Sequence, residues 1–155
     1  MFDFAPLTLE DIPFLLEVRN ECRDFLHDNR MFTLDDCRVW FREKHPDFQV
    51  IRFDGERIGY FRLSNHDQVD ASIYVGADLH RSYRGRGLAR LAYEAFLPLL
   101  KNQYHVSTVK LEVLSHNTVA LRLYQKLGFV EIDRKKGFAV REDRLVDSIV
   151  MMMSL

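Results

Sequence analysis

The sequence predicts one α/β domain: a single mixed, mostly antiparallel sheet flanked by helices on both faces. Three observations carry this prediction. The 155 residues, 47% of them hydrophobic, suffice for one sizeable core and leave no room for a comfortable second domain. Apolar residues recur at helical spacing in some stretches and form strand-like runs in others, in the order β-α-α-β-β-β-α-β-α-β-β. No internal repeat, low-complexity tract or linker rich in Pro, Gly or Ser divides residues 1–155, so all elements share one sheet with helices packed on its two faces.

Two early helices begin at Thr8 with Asp11 and at Thr33 with Asp36, capping boxes with Asp in place of the usual Glu or Gln. In the first, Ile12, Leu15, Val18, Cys22 and Phe25 recur every three or four residues and mark one buried face. The second runs from about Leu34 to Lys44 and should stop at His45-Pro46, because the residue before proline avoids helical geometry. "FQVIRF" and "RIGYFRLS" flank "DGE" and read as a hairpin. "DASIYVGADL" has the continuous apolar and small composition of a strand buried on both faces.

A helix from about Gly87 to Leu100 follows, with Leu88, Leu91, Ala92, Ala95, Phe96 and Leu99 as its core-facing stripe. "VSTVKLEVL" is the next strand, and Asn117 to Leu127 the next helix, closed by Gly128 at a left-handed C′ position. Two strands end the chain, about Phe129–Lys135 and Leu145–Ser154, joined by a charged loop.

Charge and composition narrow the function classes. A net charge of −1 provides no global field for DNA or an anionic membrane, so any attraction to anions is local. Cys22 and Cys37 give no disulfide framework and suit a reducing cytosol. Acids occupy the N-terminal stretch where a signal peptide carries positive charge, and no apolar run has the length of a membrane span. The expectation is a soluble cytoplasmic protein with no nucleic-acid or membrane partner and no metal. A homodimer is left open.

Local positive charge lies in "SYRGRGLARLAY", Ser82 to Tyr93. Gly85 and Gly87 follow a buried strand and open an amphipathic helix, whose N-terminus offers unpaired N–H groups and a partial positive charge. Glycines let an anion approach that backbone without meeting a Cβ, and Arg84 and Arg86 add charge, so the turn suits phosphate or pyrophosphate. Rival motifs fit worse. No Lys-Ser or Lys-Thr completes a Walker A loop, and Arg90 breaks the third glycine of a dinucleotide fingerprint. A solvated turn with arginines for solubility is the plain alternative.

"YRGRGLA", followed some thirty residues later by "LEVLSHNTVALRLYQKLGFVEI", resembles the GCN5-related N-acetyltransferase family, most specifically over Leu79 to Ile132. The resemblance implies that fold and acetyl-CoA as co-substrate. It places the pyrophosphate on the backbone of Arg84, Gly85, Arg86, Gly87, Leu88 and Ala89. The family's leading Arg or Gln falls at Ser82, a departure that touches a side-chain contact and leaves the backbone cradle. The resemblance further implies that the strand ending at Leu79 offers backbone groups to the pantetheine arm. Asn117 would contact that arm, and Tyr124 would lie near the thioester sulfur.

Acetyl transfer to an amine needs a neutral amine, support for the oxyanion and a proton for the thiolate. A phenol of pKa about 10 can protonate a thiolate whose conjugate pKa is about 8.5. Tyr124 is the candidate acid, its alternative role being a core aromatic. Glu112 matches the base position of some ribosomal-protein acetyltransferases of the family; an ion pair with Lys110, or a base at Asp78 or His80, are its alternatives.

By analogy the acceptor lies between the first two helices, the sheet centre and the last loop. Arg19, Arg23 and Arg30 occur there, as do Lys135, Lys136 and Arg141 in the late segment. Arg19 and Arg23 are the candidate acceptor ligands, for a small-molecule or peptide amine. A nucleotide-linked amino sugar is the leading candidate, a protein N-terminus another. A non-catalytic CoA-binding sensor is the rival class.

Overall fold

The computed structural model describes residues 1–155. A seven-stranded sheet has the spatial order β1-β2-β3-β4-β5-β7-β6. Its strands are β1 (Phe2–Pro6), β2 (Asp47–Phe53), β3 (Glu56–Asp67), β4 (Ser72–Leu79), β5 (Thr108–Leu114), β6 (Val130–Arg141) and β7 (Arg144–Ser154). The helices are α1 (Ile12–Cys22), α2 (Leu34–Lys44), α3 (Leu88–Tyr104) and α4 (Thr118–Leu127). No helix is long and apolar enough to cross a membrane.

The two sheet faces carry different cores. Alternation along β3 sends Phe61 and Leu63 to a 21-residue cluster with α3 and α4, and Tyr60 to an 8-residue cluster with α1 and α2. The two capping boxes form as read, with Asp11 and Asp36 accepting from the backbone N–H of Thr8 and Thr33. Asp54-Gly55, both at positive φ, makes the tight β2–β3 turn.

Three elements differ from the sequence reading. Helix α1 stops at Cys22 and a 3-10 turn follows over Arg23–Phe25, so Phe25, expected on the buried face, leaves the helix register and is exposed. Helix α3 continues through Pro98 to Tyr104, with Pro98 exposed. Its buried face is Leu88, Ala92, Tyr93, Phe96, Leu97 and Leu100, while Leu91 and Leu99 are exposed. An amphipathic pattern with apolar residues to spare permits two rotations of the helix, and packing on the sheet selects one. The expected charged loop is instead a long hairpin, in which β6 and β7 meet at Glu142-Asp143, both at positive φ. Strand β6 is the sheet edge and mostly exposed, so it needs no apolar face and its Lys and Arg residues concealed it.

The central feature is a fork. Strands β4 and β5 are the parallel neighbours, and they pair only from Ser72/Thr108 to Tyr74/Lys110. Beyond that point β4 bonds to β3 alone and β5 to β7 alone. The splay leaves backbone donors and acceptors of β4 and β5 facing a cleft, with α3 beginning just past the end of β4 and α4 just past the end of β5.

Candidate active site at the strand fork

The wall of the cleft nearest β4 is bare backbone. Gly85 and Gly87 sit at φ of 71° and 74°, a left-handed region that a Cβ disfavours, and Gly87 is the N-cap of α3. A Cβ at either would meet no atom within 4 Å, so the space above them is open. None of the backbone N–H groups from Gly85 through Arg90 donates to another group of the chain. These six successive donors sit at the positive end of a 17-residue helix with no acid in its first turn. The residues present therefore fit a pyrophosphate.

The arginines of the turn are otherwise engaged. Arg84 folds inward, donating from Nε to the Leu79 carbonyl (2.9 Å) and from Nη2 to Cys22 Sγ (2.9 Å). Arg86 lies over the Tyr83 ring and reaches the Ser82 carbonyl at 3.4 Å. Ser82 gives its own backbone N–H to His80 Nδ1. Leu79 thus anchors the turn with its carbonyl. Leu88 is buried, fixing the first turn of α3 to the core, and Ala89 packs partly against it.

On the β5 side, Asn117 caps α4, its Oδ1 accepting from the Ala120 N–H at 3.3 Å. Its Nδ2 has no partner in the chain. Tyr124 is 8% exposed and packs edge-on against Tyr93 and Phe129. Burial raises its phenol pKa above the ordinary value, so the hydroxyl stays protonated at neutral pH. The Tyr93 hydroxyl beside it is buried without a hydrogen-bond partner.

Glu112 points to the sheet face opposite α3, as alternation along β5 requires, and its side chain is 46% exposed. Its alternatives are occupied. Lys110 pairs with Asp70 at 3.3 Å; His80 Nε2 lies 3.0 Å from Glu17. Asp78 is buried with Oδ2 3.0 Å from Arg62 Nε, and Arg62 reaches it across Gly76, where a Cβ would lie 2.6 Å from Arg62 Nη2. The close neighbour of Glu112 is His27, whose Nε2 stands 3.6 Å from Oε2. Sequence reasoning passed over His27, because it lies between α1 and α2 where no periodicity marks it.

On the same face a pocket of about 420 Å³ opens beneath α1 and α2. Phe32, Trp40, Phe48 and Tyr60 form its aromatic wall; Arg19, Arg30, Arg62, Asp28, Asp78 and His27 supply the polar part. Arg19 lines it but spends its guanidinium on the carbonyls of Arg30 (2.6 Å) and Asp28 (2.8 Å), stacked over Phe32. Arg23 is not in the wall; it holds the Asn29 carbonyl at 3.2 Å. Buried Arg141 reaches from β6 to the carbonyls of Asp24, Leu26 and His27. These three arginines pin the loop that shapes the pocket. Lys135, by contrast, has no ion pair and stacks on Phe138, which packs against His27.

Comparison with known proteins agrees with this geometry. An N-alpha-acetyltransferase of Saccharolobus solfataricus is 38% identical over 151 residues, 79% of this chain and 90% of that protein. An uncharacterized N-acetyltransferase of Bacillus subtilis is 34% identical over 88 residues, and the match spans 55% of each chain, about half the relative's length. Among solved structures, the spermidine N-acetyltransferase of Vibrio cholerae, in complex with CoA and spermine, superposes with a TM-score of 0.90 at 18% identity, covering 99% of this chain and 95% of that one. The model of the acetyltransferase (GNAT) family matches residues 12–129. That span holds the glycine turn, the strand fork and the helix of Tyr124, and the chain belongs to the GNAT acetyltransferase family.

Proposed function

We propose that this GNAT acetyltransferase moves the acetyl group of acetyl-CoA to a primary amine on a compact anionic molecule, of which a nucleotide-linked amino sugar is the type. The carrying observation is the pocket wall: four aromatic rings with three arginines against two aspartates. Aromatic faces take a ring by stacking. The lining carries one more arginine than aspartate, and this surplus of positive charge favours phosphate or carboxylate over a polycation even though each guanidinium already holds a protein group.

Acetyl-CoA, when bound, supplies the activated thioester. The N–H groups of Gly85 to Arg90 hold its pyrophosphate, and the unpaired edge of β4 with Asn117 holds the amide arm. Tyr124, kept protonated by burial, gives its proton to the departing sulfur. Glu112, on the acceptor face, is the carboxylate toward which the amine proton is drawn.

An acetyl-CoA consumption screen tests this reading against nucleotide-linked amino sugars, free amino sugars, spermidine and peptides with small N-terminal residues. The highest kcat/KM is expected with a nucleotide-linked amino sugar, and spermidine as the best substrate would refute the charge argument. The second reading is a peptide N-terminus, favoured by the N-alpha-acetyltransferase relative that matches most of the chain. A peptide outperforming every sugar would establish it.

A further inference from the structure

His27 is placed where the acceptor pocket meets the carboxylate of Glu112. Its ring forms part of the pocket wall, which Glu112 does not join. Nε2 stands 2.8 Å from Ser148 Oγ on β7 and 3.6 Å from Glu112 Oε2 on β5. Phe138 of β6 packs against the ring with centroids 5.1 Å apart, and Arg141 binds the His27 carbonyl at 3.3 Å. Nδ1 has no partner in the chain, and the side chain is 28% exposed. The imidazole is thus oriented through Nε2 and keeps Nδ1 without a protein partner in a residue of the pocket wall.

We propose that His27 is the base that takes the proton from the acceptor amine, with Glu112 and Ser148 behind it holding the ring. This rests on the reading that the amine enters through the aromatic pocket. His27 is among the residues lining that pocket and Glu112 is not. In the tautomer in which Nε2 donates to Ser148 Oγ, 2.8 Å away, the lone pair lies on Nδ1, and the Glu112 carboxylate at 3.6 Å favours that tautomer. A base oriented by a third group in this way is the general arrangement of activated acyl-transfer sites.

The proton balance closes. Nδ1 accepts the N–H proton as the amine nitrogen bonds to the acetyl carbon. Tyr124 donates its hydroxyl proton to sulfur, which takes the electron pair of the C–S bond as it opens. The imidazolium, stabilised by Glu112, then returns its proton through water to the tyrosinate. Both residues are restored.

The groups facing His27 favour a neutral ring at rest. Burial lowers its pKa from the usual value. Glu112 on β5 opposes this, while Arg62 on β3 and Arg141 on β6 add to the lowering. The net shift is downward, so the ring is mostly neutral at pH 7. A plain structural ion pair would need the charged ring.

Two measurements test the proposal. The first follows the His27 ring by NMR titration in wild type and in Glu112→Gln, with no acceptor present. Loss of the carboxylate should lower the midpoint by about half a unit or more. An unchanged midpoint overturns the pairing.

The second compares pH–rate profiles of wild type and His27→Gln, using whichever amine of the screen wild type acetylates best. At pH 7 the variant should lose about 100-fold in kcat/KM, the span of a positioned base. The wild-type rate should fall on the acid side with the His27 midpoint found by NMR, a limb that the variant should lack, with the thermal shift by acetyl-CoA retained. Profiles that stay parallel at every pH make His27 structural and overturn the role. Wild type that transfers to no amine on the panel removes the pocket reading, and the role falls with it; the NMR midpoint still reports the pair separately.

Discussion

The two walls of the cleft are built on opposite principles. On the proposed cofactor side the available groups are backbone N–H donors from Gly85 to Arg90, and the nearby arginines serve the scaffold: Arg84 is tied to Leu79 and Cys22. On the proposed acceptor side the available groups are side chains: Glu112, Trp40, Phe48 and Tyr60 on regular elements, and His27 and Phe32 on a loop whose carbonyls three arginines bind. A backbone site recognises a feature common to every CoA molecule and tolerates change in the side chains around it. A side-chain site can be refitted to a new acceptor by changing a few residues. On the proposed reading, one wall of the cleft fixes the reaction while the other fixes its substrate.

The sharpest way to break that contrast is at the turn. Gly87→Glu puts a side chain at a φ of 74° and a negative charge among the six free donors. Acetyl-CoA raises the melting temperature of a protein that binds it only when folded, and this rise should vanish in the variant. Arg86→Ala should lower acetyl-CoA affinity by only about threefold, because the exposed guanidinium contributes a screened charge. Equal losses in the two variants would mean that side-chain charge, not backbone, holds the phosphate.

Tyr124, buried with Tyr93 and Phe129 on the α3 and α4 side of the sheet, carries the next largest effect. Tyr124→Phe keeps the edge-on packing against Tyr93 and Phe129 and removes only the hydroxyl. With an acetylated amine in hand, kcat should fall about ten- to a thousandfold while acetyl-CoA affinity stays nearly constant. A parallel loss of binding and rate would make Tyr124 a packing residue of the cofactor wall.

The same division explains what the sequence made legible. Glycines at positive φ, an N-cap and an apolar helix face are local devices, so the turn, α4 with Asn117 and Gly128, and the capped starts before α1 and α2 could be read from their own residues. Glu112 could be placed on the face opposite Leu111 and Val113 by alternation alone. His27 could not, since its role depends on Ser148 and Glu112, 121 and 85 positions away. Arg19, Arg23 and Arg141 show the same limit. A cation in the right region was visible, but whether its donors met a ligand or a carbonyl was decided by the loop's path. The β6–β7 hairpin was hidden for another reason: an exposed edge strand has no buried face to write into the pattern.

Arg141 offers the smallest and most discriminating test. Its guanidinium is 8% exposed and donates to carbonyls of Asp24, Val140, Leu26 and His27, tying β6 to the loop after α1. Arg141→Met preserves much of the stem's packing and removes every one of these bonds. Hydrogen bonds from a charged donor are worth roughly 1.5–3 kcal/mol each in a protein, less where water can replace the donor. A net loss of about 2 kcal/mol lowers the melting temperature of a domain this size by about 4–8 °C. The freed loop must then be ordered by the acceptor itself, so acceptor KM should rise about tenfold while the acetyl-CoA Kd changes less than about twofold. Measuring both constants on the one variant decides whether the walls are separate. If acetyl-CoA affinity falls in step with acceptor affinity, the loop also supports the turn, and the two sides of the fork act as one site.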